Sequence, residues 1–120
     1  MADRVLFMAW ERPARGLEER ALEVFNEALG LAGRRQQEGR IEGFDVVLCE
    51  PNDELGGYVA IRGSAEQIAA LRADDEFRRN TANAQMCVDG IRHIEGVIDE
   101  GVAAQVAMFQ EAIATVPQRS

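Results

Sequence analysis

The chain has 120 residues, 47% of them hydrophobic and 28% charged, and a formal net charge of −8; this is the composition of one globular domain spanning 1–120, long enough to bury a core without disulfide or metal staples. The acidic balance excludes the basic surface on which nucleic-acid binding rests, and it disfavours an anionic membrane surface. Thirteen arginines stand beside no lysine, which excludes Schiff-base chemistry, a lysine-anchored pyridoxal cofactor and the lysine of a phosphate-binding loop.

RVLFMAWE (4–11) is a short apolar run that reads as a strand, broken by Pro13 and Gly16. From Leu17 to about Glu38 the pattern is helical. Leu17, Ala21, Val24, Phe25, Ala28, Leu29 and Ala32 recur at steps of three and four, with Glu18, Glu19, Glu23 and Glu27 on the other side. Arg34 and Arg35 suit the C-terminal end of the helix dipole, and Gly39 ends the helix. IEGFDVVLCE (41–50) and GYVAIRG (57–63) are strand-like and are joined by the turn-forming PNDELG. SAEQIAALRADDEF follows, where Ser64 and Gln67 form a capping box that starts a second helix. A fourth strand is predicted near 90–98. After Gly101, the residues Val102, Val106, Phe109, Ile113 and Val116 mark an amphipathic C-terminal helix closed by Pro117.

This order, β-α-β-β-α-β plus a final helix, is the split βαβ or ferredoxin-like arrangement, an α+β fold. Right-handed crossovers then give an antiparallel sheet whose strands, numbered by their order in the chain, lie 4-1-3-2. Alternation sorts the side chains by face. A hairpin pairing Cys49 with Tyr58, Val47 with Ala60 and Asp45 with Arg62 puts Phe44, Val46, Leu48, Val59 and Ile61 under the helices. The mixed face then holds Asp45, Cys49, Tyr58 and Arg62, joined by His93 and Glu95 if Ile94 faces the helices. Both sets on the first strand are apolar; Leu6, Met8 and Trp10 are placed on the mixed face. Such a face needs a cover, and a second copy of the sheet supplies it as a symmetric homodimer.

The element order resembles the dimeric α/β-barrel superfamily, in which two ferredoxin-like sheets pack face to face. So does GGYVAIRGSAEQIAALRADDEFRRN, where a strand meets a capped helix ending at an acidic-aromatic step. Together with EGRIEGF, this run looks like the YCII-related branch. The superfamily includes antibiotic-biosynthesis monooxygenases, haem-degrading enzymes and lactone isomerases, so the resemblance implies a homodimer and a cavity between sheets. YCII-like proteins typically carry a histidine early in the first helix, whereas ERPARGLEERAL here has none. No catalytic residue carries over.

One histidine and two distant cysteines fit no zinc or facial-triad spacing, so no metal and no cofactor is expected. Cys49 and Cys87 are expected as free thiols in a cytoplasmic protein, because the chain shows neither a signal-peptide pattern nor a membrane span. Cys49 and His93 fall on opposite edge strands, roughly 14 Å apart at about 4.8 Å per strand, too far for a nucleophile and its base.

His93 is the candidate general base, with Glu95 beside it; the competing reading is a packed interface residue. Trp10, Tyr58, Arg62, Glu95 and Asp45 are the candidate ligand-binding residues, although Asp45 with Arg62 also reads as a cross-strand ion pair. Three functions stay open: a homodimer binding a small organic molecule in the cavity between two sheets, a cofactor-independent oxygenase or isomerase using His93, and an interaction protein without a ligand.

Overall fold

The computed structural model describes residues 2–119. Its elements are β1 (Arg4–Trp10), β2 (Arg12–Pro13), α1 (Glu18–Gln37), β3 (Gly43–Leu48), β4 (Gly57–Gly63), α2 (Ala65–Ala73), α3 (Asp75–Cys87), β5 (Val88–Asp89), β6 (Arg92–Val97) and α4 (Glu100–Ala114). The four long strands form one antiparallel sheet in the order β3-β4-β1-β6, with α1, α2 and α3 on one face, and the short β2 and β5 make a separate ribbon. Read in chain order, the long strands lie 2-3-1-4, the arrangement expected from the sequence.

Two local features differ from the sequence reading. The helix that starts at the Ser64 capping box ends at Ala73, and a separate helix begins at Asp75 after a single intervening residue. Asp74 is extended (ψ 127) and serves as the N-cap of α3, its side chain accepting from the Glu76 N–H at 2.8 Å. ADDEF is therefore a corner between two helices, and Phe77 sits in the core at the start of the second.

The β3–β4 hairpin is also shifted by two residues. Val47 faces Tyr58, Asp45 faces Ala60 and Gly43 faces Arg62. A two-residue shift preserves the side-chain faces, whereas a one-residue slip would exchange them. Phe44, Val46, Val59 and Ile61 thus remain on the helix side.

The sheet's central strand corrects the face assignment. β1 pairs Leu6 with Ile61, Met8 with Val59 and Trp10 with Gly57. Leu6 is fully buried, and Met8 and Trp10 pack against the core cluster of Leu31, Ile41, Ile61, Ile68 and Phe77. Leu6, Met8 and Trp10 face the helices, not the mixed face. β6 pairs Met8 with His93 and Leu6 with Glu95, so His93 and Glu95 face the helices as well, and Ile94 points to the open side.

The physical reason is packing. Phe77 of α3 meets the His93 ring at 5.8 Å between centroids, and Arg72 of α2 bonds Glu95 at 2.8 Å. The Trp10 indole lies over Gly56 and Gly57. A Cβ on Gly57 would come within 2.8 Å of Trp10 Cζ2 and 2.5 Å of the Val47 carbonyl oxygen, which is why β4 opens on a glycine.

A buried ion cluster holds the α2–α3 corner to the end of α1. Arg35 Nε bonds Asp74 at 2.9 Å, its Nη2 reaches Glu76 at 3.0 Å and its Nη1 reaches Glu38 at 3.1 Å. The Arg35 hydrogen bond above all, helped by the backbone N–H groups of Glu76 and Phe77, holds the Asp74 carboxyl below the ordinary aspartate range against the opposing effect of burial.

Candidate functional site

The helix-facing alanines explain where the interior is incomplete. α1 presents Ala21 and Ala28 inward and α3 presents Ala84, and these short side chains face Met8, Trp10 and Val59 across the layer. A close-packed interior would put larger groups there. The result is a largely apolar cavity of about 390 Å³ between sheet and helices, within the roughly 300–1,000 Å³ of small-molecule sites. Pro13 and Val88 of the ribbon line it, and so do Leu22 and Leu48, which are largely exposed.

Within the cavity, Trp10 and Phe25 form an edge-on aromatic pair with centroids 5.5 Å apart. Polar groups are few: His93 from β6, Asn80 and Thr81 from α3, and the exposed Glu18. Asn80 donates to the Val24 carbonyl at 3.1 Å and Thr81 to the Phe77 carbonyl at 3.1 Å, so both are held in place by helix backbone. Burial, and secondarily the charge of Arg72, lowers the His93 pKa below its usual value. His93 is therefore a neutral imidazole at pH 7, able to accept a proton.

The candidate residues expected together divide between two faces. Trp10 and His93 line the cavity. Glu95 lies on the same side but is tied to Arg72, so the charge acting on His93 is the arginine's. Asp45, Tyr58 and Arg62 occupy the opposite, open face. There Arg62 lies across Gly43, where a Cβ would collide with it, and forms an ion pair with Asp45. Tyr58 packs on Phe7 with ring centroids 4.7 Å apart.

Cys49 follows β3, at the sheet edge opposite His93, and Cys87 is buried against Ala21 and Val24; both thiols are free. Sequence reasoning missed Asn80, Thr81, Phe25 and Met8. The available signal was the pair Ala21 and Ala28 inside an otherwise large apolar stripe. Among the described residues no three His, Cys, Asp or Glu side chains converge as a metal site requires, and no helix is long and apolar enough to cross a membrane.

No family model matches the chain, and no curated protein matches it. Solved structures do. A dimeric ferredoxin-like protein of unknown function from Jannaschia sp. CCS1 aligns with a TM-score of 0.63 at 12% identity, covering 79% of this chain and 98% of that one. A putative antibiotic biosynthesis monooxygenase from Chloroflexus aurantiacus J-10-fl gives 0.55 at 11% identity, over 80% and 93%. SnoaB, a cofactor-independent oxygenase from Streptomyces nogalater, gives 0.50 at 17% identity, over 81% and 92%. At these identities the likeness is one of fold: the chain has the α+β ferredoxin-like architecture shared by dimeric proteins of unknown function and by monooxygenase-like proteins.

Proposed function

We propose that this chain forms a homodimer whose protomers each bind a small, mostly apolar organic molecule in the cavity between sheet and helices. The observation that carries the reading is the cavity itself: about 390 Å³, walled by Trp10, Phe25, Met8 and alanines, with His93, Asn80 and Thr81 as its few fixed polar groups. That lining suits a flat, aromatic molecule with one polar substituent. The dimer rests on the open sheet face. Val5, Phe7, Val47, Tyr58, Ala60 and Ile94 share it, and an apolar sheet face calls for a second layer. The Jannaschia protein, itself dimeric, supports a homodimer. Asp45, Tyr58 and Arg62 then belong to the subunit interface. The run GSAEQIAALRADDEF supports a resemblance to the YCII-related branch of the dimeric α/β-barrel superfamily, and a cytoplasmic location fits the free thiols.

A second reading follows from one observation, the place of His93 on the cavity wall, where burial favours the neutral imidazole. A base so placed could take a proton from an acidic phenol or enol as it reacts, as in a cofactor-independent oxygenase or isomerase.

Trp10 is the single tryptophan and lines the cavity, so its fluorescence reports occupancy. Titration with 2-naphthol should quench Trp10 emission saturably, and Ala84→Phe, which fills the cavity, should abolish the response. Unchanged emission in the wild type, or an equal response in Ala84→Phe, would remove the binding reading. Native mass spectrometry of protein purified gently from its own source would then identify the ligand class. His93→Gln should leave binding nearly intact and abolish turnover of any substrate so identified; turnover that survives His93→Gln removes the catalytic reading.

A further inference from the structure

The uncharged polar groups of the cavity wall all come from one side. His93 stands on β6 against Phe77, and Thr81 lies one turn further along α3, beside Asn80. The α1 side, which packs toward β3, is apolar: Phe25 meets Trp10 there, and Leu22 and Leu48 lie exposed at the rim. A ligand with one polar end therefore has one favoured orientation.

Bonds already made decide what the polar side can offer. Asn80 Nδ2 donates to the Val24 carbonyl at 3.1 Å. A carbonyl only accepts, so the amide must turn its NH2 group toward α1, and Oδ1 is left as a bare acceptor. Thr81 commits its single hydroxyl proton to the Phe77 carbonyl at 3.1 Å, which leaves the lone pairs of Oγ1. Burial favours the neutral form of His93, with one N–H and one unprotonated nitrogen. Among the described residues no fully buried side-chain nitrogen or oxygen lacks a partner, so the unpaired atoms of Asn80 and His93 are open to a ligand. The wall thus presents acceptors from Asn80, Thr81 and His93 against a single donor, the His93 N–H.

Charge points the same way. Glu18 at the rim is the only charged side chain of the lining among the described residues, and it is an anion. Arg72, the cation that acts on His93, is already bonded to Glu95 at 2.8 Å. An anionic ligand would lose its hydration here and find no counter-charge.

We propose that the cavity selects an uncharged ligand through a hydrogen-bond donor, an O–H or N–H group received by Asn80 and Thr81, with its apolar body toward Leu22 and Leu48. The inference rests on the cavity-binding reading and makes Asn80 and Thr81 the specificity-determining residues of that site. A hydroxyl suits the wall best, because it donates to Oδ1 or Oγ1 and accepts from the His93 N–H. Carboxylates, and ethers or carbonyl compounds with no donor, are discriminated against.

The test is isothermal titration calorimetry of the full chain at pH 7 with 2-naphthol, 2-methoxynaphthalene and 2-naphthoate, which share one ring system. The ether should bind at least ~10-fold more weakly than 2-naphthol, because it leaves the acceptors unpaired. The carboxylate should bind at least ~100-fold more weakly. A merely apolar cavity would prefer the ether, which carries an extra methyl group. In Asn80→Leu and in Thr81→Val, checked for folding by circular dichroism, 2-naphthol should weaken about 10-fold while the ether stays within ~3-fold. The wild-type series tests the proposal even if a variant fails to fold. An ether or carboxylate that binds as tightly as 2-naphthol, or folded variants that bind 2-naphthol as the wild type does, overturns donor selection and leaves the cavity reading standing. Binding of none of the three overturns both.

Discussion

Asp74 offers the sharpest test of how the structure is held together. Its side chain is 8% exposed and that of Arg35 9%, and they meet at 2.9 Å, so removing one partner strands a buried charge. Breaking such a pair costs about 3–5 kcal/mol. The lower end applies here, because Glu38 and Glu76 still reach Arg35. Asp74→Asn, which keeps an oxygen able to cap α3, should therefore cost about 3 kcal/mol. Asp74→Ala also loses the cap, worth about 1 kcal/mol, for a total of about 4. With an unfolding entropy of about 2.1 cal/mol/K per residue over 120 residues, each kcal/mol lowers the melting temperature by about 4 °C. The expected drops are about 12 °C for Asp74→Asn and about 16 °C for Asp74→Ala. Thermal melts followed by far-UV circular dichroism at pH 7 and one fixed protein concentration measure both. The pH dependence has a definite sign. A carboxyl whose folded pKa is lowered stabilises the fold fully above its unfolded value of about 3.9, and that contribution is lost as pH falls from there through the lowered folded value. The wild type should lose stability in that acid window, and Asp74→Asn should lose less of it. An Asp74→Asn melt within about 3 °C of wild type would refute the claim that a buried pair clamps α1 to the α2–α3 corner.

Other outcomes follow from the same geometry. Burial lowers the His93 pKa in the folded chain, so its contribution to stability is present above about pH 6.5 and declines as pH falls through the lower folded value; histidine titration by NMR should show this, and a midpoint above 6.5 would contradict it. Affinity for 2-naphthol should weaken in the same window, and His93→Gln should flatten that profile. Gly57→Ala should destabilise by 2 kcal/mol or more, on the order of overpacking a filled site, because its Cβ would meet the Val47 carbonyl and the Trp10 ring; chemical denaturation measures the loss, and a change under about 0.5 kcal/mol would mean Trp10 is not seated there. Ser64→Ala removes the reciprocal Ser64–Gln67 cap of α2 and should cost about 1 kcal/mol by the same measurement, with no effect on 2-naphthol binding.

The order of elements and the sheet topology were within reach of the sequence, because they rest on local signals: apolar periodicity, the Ser64 capping box, Gly39 at the end of α1 and the turn in PNDELG. Parity also assigned β3 and β4 correctly, since one set on each strand is apolar and the other mixed. It failed on β1 and β6. Val5, Phe7 and Ala9 are as apolar as Leu6, Met8 and Trp10, and Ile94 flanked by His93 and Glu95 suggested the wrong inward residue. Only the helices resolve that ambiguity: Phe77 receives His93, Arg72 receives Glu95, and Gly57 leaves room for Trp10. Arg35 is a similar case, suited to a helix C-terminus by its sequence and made a buried clamp by the corner at Asp74. The cavity depends on tertiary structure most of all. Ala21, Ala28 and Ala84 are ordinary helix residues until the distance between helix and sheet is set, and only then do their missing atoms become a space.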